Sequence, residues 1–169
     1  MLLLMGLQAA LIGIGATVIM DLWAWLQRRV FGIPSLNLNY ALVARWVLCM
    51  PKGKLVHAPI MSTDPMPGEK ALGWFLHYAI GVVFALAHIA VFGHHWLVEP
   101  SLTPGLITGA VTLVFPFLVI QPCLGFGFAA SKTPTPWKAR FLSTLAHLAY
   151  GLGLFITAFA IKGVSQYFM

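Results

Sequence analysis

Residues 3–26 read LLMGLQAALIGIGATVIMDLWAWL, an apolar run broken by a single carboxylate, Asp21. About 20 predominantly apolar residues cross the hydrocarbon core of a bilayer as a helix, so Leu3–Leu26 reads as a membrane span. It lacks the basic n-region and short core of a cleavable signal peptide, and is expected to be retained. Three further stretches have the same character: Ala71–Phe92, Pro104–Ala130 and Phe141–Ile161. The third contains Pro116 and Pro122. Each proline removes one helical hydrogen bond and crowds the preceding turn, which predicts a kink. The fold class expected is an all-α membrane protein, one four-helix transmembrane domain over residues 1–169.

Composition agrees. The chain is 60% hydrophobic and 8% charged, with a mean hydropathy of +0.88, against about 25% charged residues in soluble domains. The net charge of +6 does not indicate nucleic acid binding, because the basic residues cluster at span edges. Residues 27–70 carry Arg28, Arg29, Arg45, Lys52, Lys54 and Lys70, and residues 131–140 carry Lys132, Lys138 and Arg140. Residues 93–103 carry only Glu99. The positive-inside rule then places the first and third loops in the cytoplasm and both termini outside, with Lys162 as the exception. These features predict a multi-pass membrane protein with the lipid bilayer as the main partner. Cys49 and Cys123 stand far apart without a C-x-x-C pattern, which argues against a disulfide framework or zinc knuckle. Walker, Rossmann, H-E-x-x-H and G-x-S-x-G motifs are absent from the sequence.

Within the first loop, Asn39–Met50 (NYALVARWVLCM) is helical in pattern and too short to span. Arg45 and Trp46 suit a helix lying at, or dipping into, the cytoplasmic interface. The Pro- and Gly-rich stretch that follows reads as an irregular loop. Glu69 opens the second span, where a negative charge complements the helix dipole. The tryptophans mostly fall near span ends and read as an aromatic belt.

Asp21 precedes Arg28 by the same seven residues by which His77 follows Lys70 and His147 follows Arg140. At about 1.5 Å per residue, all three lie roughly 10 Å inside the same membrane face. Ionisable residues at such depth are costly and are functional-site candidates by default. Asp21 suits a proton carrier, a metal ligand or a substrate counter-ion; the structural alternative is a salt bridge to Arg45, Arg28 or Arg29. His77 and His147 suit ligands of a haem or a transition metal, with Asp21 as a third donor. Their structural alternative is hydrogen bonding between helices. Gln121, beside Pro122, is expected deeper than this layer, able to satisfy a freed carbonyl or touch a ligand. His88 reads as structural or interfacial, His94 and His95 as loop residues, and His57 carries no signal.

Spans two and four share a pattern: Gly73, His77 and Gly81 match Ser143, His147 and Gly151 at four-residue spacing. Residues four apart share a helix face, so each histidine is flanked by small residues that let helices approach closely. The pattern predicts two hairpins related as a parallel repeat. Gly13, Thr17 and Asp21 share a face of span one, and Gly105 and Gly109 form a helix-contact pair in span three.

These polar positions resemble a known family. The matching stretches are GATVIMDLWAWLQRRVFGIPSLN, VARWVLCMPKGKLVHAPI, GEKALGWFLHYAIGVVFA, QPCLGFGFAASKTP and AHLAYGLGLF, and the family is the bacterial integral-membrane family DUF2938, a domain of unknown function. The resemblance covers nearly the whole chain. It implies a small polytopic inner-membrane protein and no activity. Three functions therefore stand open on the residues themselves. One is a small transport or binding protein, expected as a homodimer, whose Asp21, His77, His147 and Gln121 take a proton, cation or small substrate. Another is a membrane redox protein or enzyme with haem or metal held by His77 and His147, Gly81 and Gly151 leaving room for the macrocycle. The third is a non-catalytic membrane subunit.

Overall fold

A computed structural model of the chain describes residues 2–31 and 39–167, with side chains over 4–30 and 39–162. The last part of the first family-like stretch, residues 32–37, lies outside the described residues. The described elements are α1 (Leu2–Phe31), α2 (Tyr40–Cys49), α3 (Glu69–Phe92), α4 (His94–Val98), α5 (Leu102–Thr112), a π-helical turn (Phe115–Ile120), α6 (Gln121–Cys123) and α7 (Pro136–Tyr167). Short 3-10 turns lie at Met50–Lys52, Ile60–Ser62 and Phe128–Ala130. No strand occurs among the described residues. Four segments are long and apolar enough to cross a membrane: Leu4–Val30, Glu69–Phe92, Leu102–Cys123 and Pro136–Lys162.

Small residues set how these helices meet. A Cβ on Gly13 would stand 2.6 Å from Val82 Cα, and one on Gly153 would stand 2.7 Å from Ala16 Cα. A Cβ on Gly105 would stand 2.5 Å from the Gly151 carbonyl oxygen, and one on Gly109 would overlap that of His147. Backbone thus lies against backbone along α1–α3, α1–α7 and α5–α7, the close approach that glycine faces permit between apolar helices. Consecutive spans run antiparallel, since Gly13 meets Val82 while Asp21 meets His77. The expected Gly105–Gly109 contact is present. In α3, Gly81 rests on Thr17 of α1 while Gly73 rests on Tyr40 of α2; in α7, Gly151 rests on Gly105 of α5. The core is Ile12, Ala16, Ala85, Trp96, Tyr150, Leu154 and Ala158. Trp96 is therefore a core residue, not a member of an interfacial belt; its Nε1–H donates to the Ser101 carbonyl at 3.1 Å.

The third span is interrupted where the prolines predict it. Pro116 lies in the π-helical turn, whose wider loop returns a hydrogen bond from the Gln121 N–H to the Pro116 carbonyl. A π-turn inserted into an α-helix accommodates a residue that the regular ladder cannot pair. The helix then stops at Cys123 rather than continuing to Ala130. Gly125 and Gly127 take positive φ, and Ala129 and Ala130 are also left-handed, so this segment is a turn-rich loop and not a span.

The basic end is covered by ordered chain. Helix α2 forms as expected, capped by the Asn39 side chain accepting from the Ala41 N–H at 3.2 Å. Its buried Ala41, Val43, Ala44 and Arg45 face the bundle. A Cβ on Gly73 would collide with the Tyr40 carbonyl, so α2 lies backbone-close on α3. The following loop docks on the end of the third span: the His57 N–H donates to the Cys123 carbonyl at 2.8 Å, and the Ile60 N–H to the Leu124 carbonyl at 2.9 Å. His57, silent in the sequence, is buried in this contact.

Arg45 does not fold back onto Asp21. It pairs instead with Glu69, Nε to Oε2 at 2.8 Å and Nη2 to Oε1 at 2.6 Å, while Nη1 donates to the Thr63 carbonyl at 2.6 Å. The Met66 N–H also donates to Glu69 Oε2 at 2.9 Å. The Glu69 carboxylate beside it, through this hydrogen bonding, holds the Arg45 guanidinium above its ordinary proton affinity. Glu69 thus closes a buried fork joining α2, the loop and α3, a larger task than complementing a helix dipole.

Candidate functional site

Asp21 lies on α1 two turns from the basic end, and three side chains converge on it. His77 Nε2 is 3.0 Å from Oδ1, the Tyr40 hydroxyl donates to Oδ1 at 3.1 Å, and the Tyr78 hydroxyl donates to Oδ2 at 3.1 Å. The three donors come from α2 and α3, so the contact of these elements with α1 assembles the site. Tyr40 stacks on the His77 ring, with centroids 3.9 Å apart and planes at 18°. Trp74 meets Tyr40 edge-on at 5.0 Å. Burial, and next the Asp21 charge, raise the Tyr40 phenol's proton affinity, so it stays a donor. With Nε2–H donating to the carboxylate, Nδ1 of His77 is left as the ring's acceptor, and it has no partner among the described residues. A proton taken there converts the ring to an imidazolium already seated on its counter-ion.

His147 stands on α7 and does not touch Asp21. Its Nδ1 is 2.9 Å from Thr112 Oγ1, and that hydroxyl donates its one hydrogen to the Gly109 carbonyl at 2.8 Å. His147 Nδ1 must therefore carry the hydrogen, which leaves Nε2 as the acceptor. His77 and His147 line one partly open cavity of about 110 Å³, together with Tyr40, Ile80, Phe84, Phe115, Pro116 and Tyr150 among others. Phe115 and Pro116 of the π-helical turn line the cavity, as does Tyr150, whose hydroxyl donates to the Gly81 carbonyl at 2.6 Å. Its volume accommodates a few waters, below the roughly 300–1,000 Å³ of sites for larger ligands.

Asp21 lines the neighbouring space: a groove of about 640 Å³ bounded by Val18, Leu22, Trp25, Arg28, Asn39, Tyr40, Ala41, Lys70 and Trp74. Tyr40 lines both spaces. The Asp21–His77 pair is thus the partition between a groove at the basic end and the cavity inside the bundle.

Gln121 is not part of this cluster. It lies at the basic end of the third span, against a separate cleft of about 600 Å³ that it shares with Asn39, Pro59, Phe126, Lys132 and Ser143. Depth counted from Ala130 places it deep; because the helix ends at Cys123, it is shallow. It is 5% exposed and its Oε1 has no partner among the described residues.

The glycines next to the histidines are occupied by neighbouring helices. A Cβ on Gly81 would overlap the Thr17 hydroxyl, and one on Gly151 would stand 3.0 Å from the Gly105 carbonyl carbon. The space expected for a macrocycle at Gly81 and Gly151 is therefore filled by packing. No group of three or more His, Cys, Asp or Glu among the described residues is arranged to hold a metal ion. Cys49 and Cys123 are free thiols. His88 is buried, its Nδ1 2.6 Å from Thr108 Oγ1 and its ring edge-on to Trp96.

Tyr40, Tyr78 and Thr112 are the site residues that the sequence reading missed. Tyr78 adjoins His77 in an apolar span and was detectable by the same criterion. Tyr40 reaches the site only because α2 folds back onto α3.

Four apolar helices with polar side chains paired inside them point to a small multi-pass membrane protein. The chain belongs to the family described as protein of unknown function (DUF2938), whose model matches residues 10–161. No curated protein and no solved structure matches it.

Proposed function

We propose that this is a small transport or binding protein of the bacterial inner membrane, with Asp21 and His77 as its protonation site. The observation that carries the reading is the position of the Asp21 carboxylate. It accepts from three side chains within an apolar span, and separates the groove at the basic end from the cavity lined by His77 and His147. Under the positive-inside rule the groove faces the cytoplasm and both termini lie outside. A proton arriving from that side meets the pair first. The second imidazole, His147, lines the same cavity with one nitrogen free to accept. The π-turn at Pro116 borders the cavity, and interrupted helices of this kind are used by membrane transport sites.

In liposomes under a potassium diffusion potential, with an internal pH-sensitive dye, the unaltered protein is expected to carry protons faster than protein-free vesicles. Asp21→Asn is expected to return the rate to that of empty vesicles while its unfolding midpoint stays measurable. Equal flux from Asp21→Asn and the unaltered chain would remove the proposal, as would an unaltered chain no faster than empty vesicles.

A further inference from the structure

The groove between Asp21 and the basic end has a composition that a protonation site alone does not require. Two cations, Arg28 from α1 and Lys70 from α3, lie on its lining, both exposed. Neither has a hydrogen bond or salt bridge among the described residues. The one acid there, Asp21, accepts from His77, Tyr40 and Tyr78. Asp21 sets one negative charge against two positive ones, so one positive charge is left in excess in the groove.

The remaining lining is apolar and turned outward. Val18 and Leu22 are exposed on α1, and Trp25 and Trp74 are 54% and 52% exposed. On a membrane span such surface faces lipid chains. Tryptophan in this setting sits at headgroup level, and the groove's cations lie within about one helical turn of its tryptophans, Arg28 after Trp25 on α1 and Lys70 before Trp74 on α3. Asn39 adds an amide at the rim. A soluble anion would satisfy the cations and leave the apolar wall uncovered; a phospholipid covers both.

We propose that this groove is a binding site for one anionic phospholipid, with Arg28 and Lys70 holding the phosphate oxygens and Val18 and Leu22 guiding the acyl chains. Basic pockets between spans on the cytoplasmic side are suited to acidic headgroups, and each Lys or Arg near the surface contributes about fivefold in affinity. The site does not depend on whether Asp21 moves protons.

The test is native mass spectrometry of the full chain in detergent with equimolar phosphatidylglycerol and phosphatidylcholine. One phosphatidylglycerol is expected to be retained with a preference on the order of tenfold or more. Arg28→Gln/Lys70→Gln is expected to bring the preference close to unity. Lys52→Gln/Lys54→Gln, which removes two cations of the same loop outside the groove, is expected to leave it unchanged. Equal retention of the two lipids by the unaltered chain overturns the site whatever the variants do. An equal loss in both double variants overturns it too, because the preference is then a property of net charge.

Discussion

Glu69→Ala is expected to lower folding stability by about 3–5 kcal/mol, because it strands a buried guanidinium. Arg45 is 6% exposed, and two of its three hydrogen bonds end on the Glu69 carboxylate. Without that carboxylate the charge is left with the Thr63 carbonyl alone. The loss should spread beyond the pair, since Glu69 also accepts from the Met66 N–H and so fixes the turn that leads into α3. Arg45→Met/Glu69→Leu removes both charges together and is expected to recover most of the loss, as replacement of a whole buried pair by apolar groups often does. Unfolding in mixed micelles, followed by tryptophan fluorescence, measures both variants. Equal stability of Glu69→Ala and the unaltered chain would mean that the fork does not hold α2 on the bundle.

Gly151→Leu is expected to have a comparable effect, about 3 kcal/mol or more, by overpacking a contact between two backbones. A Cβ at this position already stands 3.0 Å from the Gly105 carbonyl carbon and 3.1 Å from Leu106 Cα. These are main-chain atoms that no rotamer change can move. Helix α5 must shift away from α7, and Gly109 sits in the same contact against the His147 carbonyl. The bond between His147 and Thr112 then opens as well. Gly6→Leu is the control, since no atom lies within 4 Å of a Cβ there and its stability should barely change. Thermal unfolding of the two variants side by side makes the comparison.

The parts of this architecture visible in the sequence are those that follow from local rules. Apolar length located all four spans, because crossing a bilayer sets a minimum run whatever the tertiary contacts. Equal spacing to the flanking basic residues placed Asp21 and His77 at one level, and they are in contact. Pro116 announced the break in the third span through its missing N–H. The misreadings arose where distant chain decides. Gln121 was placed too deep because FGFAA reads as apolar, although positive φ at Gly125 and Gly127 ends the helix before it. Arg45 had several carboxylates within sequence reach, and only the docking of α2 selects Glu69. Tyr40 enters the site by the same docking, which depends on the small Gly73 on another helix.

Proton uptake by the proposed Asp21–His77 site can be read by infrared difference spectroscopy on protein with isotope-labelled aspartate. The chain contains only two aspartates, Asp21 and Asp64, so the label isolates the site with one competitor. On acidification a label-sensitive band is expected that persists in Asp64→Asn and vanishes in Asp21→Asn. A band that instead persists in Asp21→Asn and vanishes in Asp64→Asn would mean that Asp21 takes no part in proton uptake.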